Sequence, residues 1–248
     1  MVEIGCLARY FNLYSDEVQF ARENGFDFMQ LWYDDGGLRL HELDQNPIEI
    51  INRHGFPTII HAVLDIHEID AHIPKLLALM NDLQHRELIL HPVSEKREIS
   101  AKTLDMLDAQ ISAALDVFSS QGITLFVENN SRRDPIFNTS DEIDSIFSGH
   151  KELELVLDVA HASDFSHLKA LVAANMPKML HVSDRRKSVV HEHLPLGNGD
   201  IDFELIFDTV LSGFGGRMIL EVVEEDADIV RSKRIMERII GKTAGVYC

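Results

Sequence analysis

Six short apolar runs in this chain each end in a histidine or a carboxylate, the side-chain types that bind metal ions and move protons. In chain order these residues are His61, His91, Glu128, Asp158, His181 and Glu221. Burying an unpaired charge is costly, so an ionisable group at the end of a buried strand indicates a functional end. If the runs are parallel strands of one sheet, all six side chains lie at one end of it and form a metal site.

Two local patterns add three histidines to this series. His161 follows Asp158 by three residues, where a strand end passes into a turn, and His191 and His193 alternate on an extended segment. The other histidines fall outside the series and are predicted to lie at the surface: His41, His54, His67, His72, His85, His150 and His167. A single histidine at a strand end is more often a hydrogen-bonded structural residue than a ligand. Because so many candidate ligands converge here, we favour a metal site.

The runs that carry these residues are rich in Ile, Leu and Val and too short for helices, as strands buried on both faces are. Eight strands are predicted, at 2–8, 26–33, up to His61, up to His91, 123–128, 153–159, 178–182 and 217–222. Eight helices are predicted to follow them in turn: one opened by Ser15, then 47–54, 70–83 and 100–120, one opened at Thr139, then 165–174, 202–212 capped by Asp202, and 226–240.

Strict alternation of strands and helices predicts a parallel sheet, and eight units of about 30 residues predict a closed (β/α)8 TIM barrel. We expect one such domain over residues 1–248. An open doubly wound sheet is less favoured, because no GxGxxG motif follows the first strand and candidate functional residues lie on nearly every strand. Active sites of barrels lie at the C-terminal ends of the strands, where this series falls.

The composition limits the partners of the chain. Its formal net charge is −18, from 41 acidic and 23 basic residues, which opposes binding to a polyanion such as DNA. We see no secretion signal and no run of about 18 apolar residues that would span a membrane, so we expect a cytoplasmic protein. Only Cys6 and Cys248 occur, so neither a structural disulfide nor a cysteine-based zinc site is expected.

The ordered ligand set resembles a known family. The order is His61, His91, Glu128, Asp158-x-x-His161, His181, His191-x-His193 with LGNGDID, and then Glu221. It is similar to that of the xylose isomerase-like barrel superfamily, which contains sugar isomerases and epimerases together with apurinic endonucleases of the endonuclease IV type. The resemblance covers nearly the whole chain, and it is specific for the superfamily rather than for one reaction.

For an isomerase or epimerase, the resemblance implies one divalent metal held by Glu128, Asp158, His181 and Glu221. It further implies that Glu128 and Glu221 flank the carbon whose proton moves, as paired base and acid, and that His161 contacts substrate oxygens. The metal would polarise a carbonyl and its neighbouring hydroxyl while a carboxylate removes and returns the proton. Mn²⁺ or Zn²⁺ is expected, with Co²⁺ or Mg²⁺ as alternatives, and no organic cofactor.

For an endonuclease, the resemblance implies additional metals. His61 and His91 would join Glu128 around one of them, and His161, His191 and His193 would hold another. The endonuclease pattern has an aspartate where this chain has His191, which reduces the negative charge available to hold three dications together. The acidic balance of the chain also argues against a surface that holds bent duplex DNA.

Charged and aromatic residues near the predicted barrel mouth give candidates for substrate contacts. Six basic residues follow strand ends and suggest an anion pocket, with ordinary solvated loop charge as the alternative: Arg9, Arg132, Arg133, Arg185, Arg186 and Lys187. Four aromatic residues follow the first two strands and suggest a sugar-binding wall, with simple rim packing as the alternative: Tyr10, Phe11, Trp32 and Tyr33. Among these we expect Trp32, Arg186 and Lys187, with His161, to contact the substrate.

The sequence therefore predicts a metal-dependent isomerase or epimerase acting on a small sugar, a sugar phosphate or a related polyol. The first alternative is a zinc-dependent apurinic endonuclease, and the second is a barrel that binds metal and a small ligand without turnover. A nucleic acid or membrane partner is not expected, and the sequence leaves a homo-oligomer open.

Overall fold

The structure, a computed structural model, describes residues 2–94 and 99–244, so Cys248 lies outside the described residues. The strands are β1 (Glu3–Leu7), β2 (Met29–Asp34), β3 (Gly37–Leu38), β4 (Thr58–Asp65), β5 (Glu87–Val93), β6 (Thr124–Glu128), β7 (Glu154–Asp158), β8 (Met179–Val182) and β9 (Arg217–Leu220). The helices are α1 (Tyr14–Glu23), α2 (Pro47–His54), α3 (Ile69–Asp82), α4 (Ala101–Ser120), α5 (Ser140–Gly149), α6 (Phe165–Ala174), α7 (Phe203–Asp208) and α8 (Asp226–Ala244).

Eight of these strands close into a parallel barrel. They follow the order β1, β9, β8, β7, β6, β5, β4, β2, and β1 also pairs with β2, which completes the ring. The predicted (β/α)8 barrel is confirmed, and the open sheet is wrong. The short strand β3 was not predicted; it pairs antiparallel with the end of β2 and adds a hairpin at the barrel rim. No helix in the described part of the chain is long and apolar enough to cross a bilayer.

The barrel interior is filled at its lower level by seven apolar residues, one from each of the strands β4 to β9 and one that directly precedes β2. These residues are Phe28, Ile59, Ile89, Phe126, Val156, Met179 and Ile219. On β1 the corresponding space is left by Gly5, where an added Cβ would lie 2.6 Å from the Phe28 ring. A separate, larger apolar cluster packs the outer faces of the strands against the helices.

The strand periodicity then fixes what lies above this apolar layer. Side chains two residues apart on a strand face the same side, so the residue two positions after each interior residue also faces the barrel axis. Those residues are Gln30, His61, His91, Glu128, Asp158, His181 and Glu221. The same strands therefore supply an apolar floor and a polar layer directly above it.

Several predicted boundaries differ from the structure. Strands β4 and β5 pair from Ile60 and Leu88 up to Asp65 and Val93, so they continue beyond the histidines that were predicted to end them. Helix α7 ends at Asp208 rather than at 212, although its predicted cap is confirmed, since the Asp202 carboxylate accepts a hydrogen bond from the Leu205 amide at 2.9 Å.

Helix α1 begins one residue before the predicted cap Ser15. Its first amide, that of Tyr14, donates to the Asp44 carboxylate at 2.8 Å, so a residue from a distant loop satisfies this helix end. The prediction for α5 is confirmed, because Thr139 and Glu142 form a reciprocal capping box.

The prediction of surface histidines is wrong for His72, which is 5% exposed and lies with its Nδ1 2.9 Å from the Tyr33 hydroxyl. Tyr33 faces outward from the barrel because it alternates with Trp32, so it does not line the predicted sugar wall. His67 is exposed, as predicted. The others are half-buried: His41, His54, His85, His150 and His167.

Candidate metal centre

The structure brings the predicted ligand-type residues together at the C-terminal end of the barrel. Glu128 lies at the centre, and its side chain is fully buried. Its Oε2 atom is 2.8 Å from His61 Nε2 and 3.1 Å from His91 Nδ1, and its Oε1 atom is 3.1 Å from His181 Nδ1. One carboxylate therefore faces imidazoles from three different strands.

Glu221 forms the opposite side of this cluster. Its Oε1 atom lies 3.2 Å from His181 Nδ1 and accepts a hydrogen bond from the Gln30 amide at 2.8 Å. Its Oε2 atom lies 3.2 Å from His193 Nδ1. His181 thus lies between the two carboxylates that were predicted to act as acid and base.

Asp158 is oriented by backbone groups at the end of β7. Its Oδ1 atom accepts hydrogen bonds from the amides of Ala160 and His161 at 2.7 and 3.1 Å, whereas its buried Oδ2 atom has no hydrogen-bond partner. The His161 ring is oriented by the Asn129 carbonyl, 2.8 Å from Nδ1, so its Nε2 atom keeps a lone pair that points into the site.

Four of these residues fit a divalent cation. Glu128, Asp158, His181 and Glu221 each offer a ligand atom, and these atoms lie within 4.8 Å of one another. Glu128 Oε1, Asp158 Oδ2 and both ring nitrogens of His181 are buried without a hydrogen-bond partner. Buried polar atoms are normally paired, and carboxylate with imidazole is a donor set that suits Mn²⁺ or Zn²⁺. Their roles as ligands stay a prediction.

Among the described residues, three further groups of side chains also bring their ligand atoms within 4.8 Å of one another. They are His161 with His191 and His193, His61 with His91 and Glu128, and His61 with His181 and Glu221. The possible additional ligands predicted from the sequence therefore also converge. Proximity alone does not make a ligand, because each ring nitrogen must also carry a lone pair that faces the ion.

The pKa values of the cluster are shifted so that both glutamates are ionised and His181 is protonated. Burial alone would raise the pKa of Glu128, but the His181, His91 and His61 rings lower it well below its usual range. Burial opposes charge on His181 too, but Glu128 and Glu221 raise its pKa to about 9. The pKa of Glu221 is lowered in spite of burial, chiefly by His181. In the metal-free protein a protonated imidazole supplies the positive charge that the carboxylates need.

The histidines around this centre differ in charge. Burial lowers the pKa of His61, whereas Glu128 raises that of His91 against the effect of burial. Burial is the main cause that lowers the pKa of His191 to about 3, and the nearby His161 is the next, so this ring is neutral. Burial would also lower the pKa of His193, but its hydrogen bond to Glu221 raises it to about 9.

A pocket of about 850 Å³ opens beside the centre, at the rim formed by β1, β2 and the β3 hairpin. Gln30 and Trp32 line its inner side, and Tyr10 and Phe11 line its outer side, where they are 53% and 57% exposed. The Trp32 ring lies edge-on to His61, with ring centroids 5.5 Å apart. This is room for a small ligand next to the candidate metal ligands.

Two of the basic residues predicted near the mouth are engaged in the fold. The buried Arg9 guanidinium lies 2.8 Å from Glu17 Oε1 and 2.7 Å from Asp226 Oδ1. Arg185 donates to the carbonyl groups of Ala160 and Ala162 at 2.8 and 2.7 Å, and also to further carbonyls of the neighbouring loops. Neither guanidinium is free to hold an anion, so these two residues do not form the suggested pocket.

The other basic residues are on the surface. Arg186 is exposed and pairs with Glu192, next to His191 and His193. Lys187 is exposed and lines a second pocket, of about 290 Å³, between the starts of α6 and α7. Arg132 and Arg133 are exposed. Substrate contacts by Arg186 and Lys187 stay predictions.

The loop that carries His191 and His193 is organised by Asp184, which follows β8. The buried Asp184 carboxylate accepts hydrogen bonds from the amides of Gly197, Gly199 and Ile201 at 2.9, 2.8 and 3.1 Å. A Cβ on Gly199 would lie 2.3 Å from Asp184 Oδ1, so only glycine fits there. A backbone bridge between Asp184 and Leu194 then holds the histidine segment over the centre.

Sequence reasoning missed Gln30, Asn129 and Asp184, which orient the candidate ligands. Their types gave no signal, because an amide is not a usual metal ligand and Asp184 binds only backbone amides. Gln30 was detectable by position, since it stands two residues after Phe28 as each ligand stands two residues after its own interior residue.

Comparison with known proteins identifies the family of the chain. The profile of the family described as xylose isomerase-like TIM barrel matches residues 18–239. No curated protein matches the sequence significantly.

Three solved structures illustrate the structural likeness. An L-ribulose 3-epimerase has a TM-score of 0.77 at 16% identity and covers 100% of this chain and 97% of its own. A D-allulose 3-epimerase from Methylomonas sp. in complex with D-allulose has a TM-score of 0.71 at 15% identity, with 96% of each chain covered. The probable 3-DHS dehydratase AsbF from Bacillus anthracis has a TM-score of 0.65 at 14% identity, covering 96% and 98%. At these identities the likeness establishes the fold.

Proposed function

Because the chain belongs to the xylose isomerase-like TIM barrel family, we propose that it is a divalent-metal-dependent isomerase or epimerase of a small sugar or related polyol. The observation that carries the proposal is the buried set of Glu128, Asp158, His181 and Glu221 beside a pocket large enough for a sugar. The first three of these residues have ligand atoms without a hydrogen-bond partner. The epimerases among the similar structures support the same reaction class.

In this proposal the same four residues hold the cation, Mn²⁺ or Zn²⁺. When bound, it would supply positive charge beside a substrate carbonyl and so favour loss of the neighbouring carbon-bound proton. Glu128 and Glu221 act as the paired base and acid. The lowered pKa of each keeps it ionised at neutral pH and so able to remove a proton, and the carboxylate that has taken the proton returns it as the acid. The unpartnered Nε2 atom of His161 is available to accept a hydrogen bond from a substrate hydroxyl.

The substrate that we propose is uncharged. Arg9 and Arg185 are fully engaged within the fold, and Arg186 pairs with Glu192, so three of the guanidinium groups expected to hold a phosphate have protein partners. The pocket beside the centre offers the Trp32 ring, which suits the apolar face of a sugar ring, and the amide oxygen of Gln30, which has no hydrogen-bond partner and suits a hydroxyl group. We therefore favour a free sugar over a sugar phosphate.

Exchange of carbon-bound hydrogen with solvent tests the proposal. We expect the Mn²⁺-loaded protein to incorporate deuterium from D₂O into a ketose at the carbon next to its carbonyl, detected by NMR. Glu128→Gln and Glu221→Gln should each lower the exchange rate at least about 100-fold, because a general acid or base contributes about 10²–10⁴-fold. The exposed Glu152→Gln is the matched control and should leave the rate unchanged. Undiminished exchange in Glu128→Gln would contradict the assignment of the base.

A zinc-dependent apurinic endonuclease is the second candidate, favoured by the convergence of His161, His191 and His193 and by the group of His61, His91 and Glu128. It requires both additional groups to hold zinc at the same time. Elemental analysis of the purified protein, combined with a cleavage assay on an abasic duplex, separates the candidates. Three zinc ions per chain with strand cleavage would replace our proposal, and about one metal without cleavage agrees with it.

A further inference from the structure

Gln30 lies where it contacts two residues of the centre at once. It stands on β2, is 1% exposed, and faces the barrel axis. Its amide nitrogen Nε2 is 2.8 Å from Glu221 Oε1 and 3.2 Å from His61 Nδ1. A side-chain amide carries two hydrogens on that nitrogen, so it can donate to both neighbours.

The Glu221 carboxylate determines which way this amide points. An ionised carboxylate only accepts hydrogen bonds, so the NH₂ group of Gln30, and not its oxygen, must face Glu221. The second hydrogen of that NH₂ group then faces His61 Nδ1. The Nδ1 atom must therefore carry a lone pair, and the single proton of the neutral ring is on Nε2.

The Nε2 proton has a partner of its own. His61 Nε2 lies 2.8 Å from Glu128 Oε2, which accepts it. Both nitrogens of His61 are therefore engaged in hydrogen bonds, and the nitrogen nearest to Glu128 carries a proton where a metal ligand would need a lone pair.

His91 also carries its proton on Nε2, but it turns the other nitrogen, Nδ1, towards Glu128. Its Nε2 atom lies 2.6 Å from Asn130 Oδ1, and the Asn130 amide nitrogen donates to the carbonyl groups of Pro92 and Ile136 at 2.5 and 2.9 Å. The Asn130 oxygen must therefore face His91, which places the His91 proton on Nε2. The Nδ1 atom of His91 has no hydrogen-bond partner and can act as a ligand.

We propose that Gln30 is a positioning residue that fixes the tautomer of His61, so that His61 donates to Glu128 and does not bind a metal. The two candidate metal groups that contain His61 are thereby disabled, and Glu128 is left to the group with Asp158, His181 and Glu221. Gln30 and His61 also form a hydrogen-bonded chain from Glu221 to Glu128. The inference rests on the proposed metal centre for its consequence, but the tautomer itself is independent of it.

The tautomer can be measured without metal or substrate. Two-bond ¹H–¹⁵N correlations of ¹⁵N-histidine-labelled protein identify which ring nitrogen is protonated, and His61→Asn assigns the signals of His61. We expect the proton on Nε2 in the wild type. Gln30→Glu replaces the donor by an acceptor of the same shape and should move the proton to Nδ1. A wild-type proton on Nδ1, or a tautomer unchanged in Gln30→Glu, would overturn the inference.

Metal content tests the consequence. Titration of the metal-free proteins with Co²⁺, followed by its visible absorption, should give about one more bound ion per chain in Gln30→Glu than in the wild type. Adding His61→Asn should remove that gain, and Gln30→Met, which offers no acceptor, should not produce it. No gain despite a reversed tautomer, or loss of one Co²⁺ when His61→Asn is made in the wild type, would contradict the exclusion of His61 from metal binding.

The outcomes separate this inference from the proposed function. A wild-type protein that binds no Co²⁺ but keeps the Nε2 proton on His61 would reject the metal centre and retain the tautomer assignment. Gln19→Met, an exposed glutamine on α1, is the matched control for the loss of an amide and should change neither measurement.

Discussion

Glu128, His181 and Glu221 form an alternating row of anion, cation and anion in the metal-free protein. His181 lies 3.1 Å from one carboxylate and 3.2 Å from the other, and all three side chains are buried. The proton on His181 thus occupies the place where the proposed ion would supply charge. Metal and proton must compete for this ring, because a protonated imidazole has no lone pair for a ligand bond.

This competition predicts a pH dependence of metal binding. The pKa of His181 is raised to about 9, so the ring is protonated at neutral pH and must lose its proton when the ion binds. We expect the apparent affinity for Mn²⁺ or Zn²⁺ to rise about tenfold per pH unit for each proton released, up to about pH 9. Calorimetric titrations in buffers of different ionisation enthalpy count the protons. Binding without proton release at pH 7 would contradict this expectation.

Trp32 is the single tryptophan of the chain and lines the pocket next to His61. We expect sugar binding to change its fluorescence, since the ring lies on the inner wall where a ligand would pack. Trp32→Ala should raise the KM about tenfold with little change in kcat, as expected from the loss of an aromatic contact of about 1.5 kcal/mol. Phe165→Ala, at the other pocket, is the control for exposed aromatic area. An equal fall in kcat would place Trp32 among the reacting groups.

The role of a single residue was predictable from the sequence when its side-chain type indicated that role. Six of the nine candidate ligands were found because a histidine or a carboxylate ends an apolar run, and His161, His191 and His193 were added from short local patterns. Arg9 and Arg185 were misjudged because their partners, such as Asp226 and Ala160, lie far along the chain or are backbone groups. Gln30 was missed because its role depends on a contact with Glu221, 191 residues away.

At the scale of elements, the loop between β8 and α7 determines where His191 and His193 lie. Its fold depends on the Asp184 carboxylate and on the close approach of Gly199 to it. The strands and most helices followed from apolar periodicity, whereas the β3 hairpin and the start of α1 depend on tertiary contacts. The hydrogen bond from Tyr14 to Asp44 is one such contact.

The close approach at Gly199 gives a prediction for this loop. Gly199→Ala places a methyl group within 2.3 Å of Asp184 Oδ1, so either the carboxylate or the loop must move. We expect a loss of about 1–3 kcal/mol in the free energy of unfolding, measured in urea, as for overpacking in a tight site. The exchange activity should fall as well, because His193 shifts from Glu221. Gly149→Ala, which meets no atom closer than 4.0 Å, is the control. Unchanged stability would contradict the rigidity of the loop.

At the scale of the whole molecule, the charge of −18 is the property that most separates sugar chemistry from nucleic-acid chemistry. Nonspecific DNA binding depends on basic residues that replace counterions, and three of the arginines near the mouth pair with carboxylates or carbonyls. The barrel itself followed from the alternation of elements.

This charge predicts weak binding to DNA. In fluorescence anisotropy with a labelled abasic duplex, we expect a Kd weaker than about 10⁻⁴ M at physiological salt, the weak end of nonspecific affinities. A duplex of the same length without the abasic site is the control. Binding in the nanomolar range that weakens steeply with added salt would point to the endonuclease instead.

An apolar layer lies beneath the candidate ligands, formed by Phe28 and its neighbours and packed against Gly5. This layer closes the bottom of the barrel. Whatever reaches the polar layer must arrive and depart through the same opening, past Trp32 and the loop that holds His193. A product must therefore leave the polar layer by the way that its substrate entered. The turnover rate of the proposed enzyme therefore cannot exceed the rate at which product leaves through this opening.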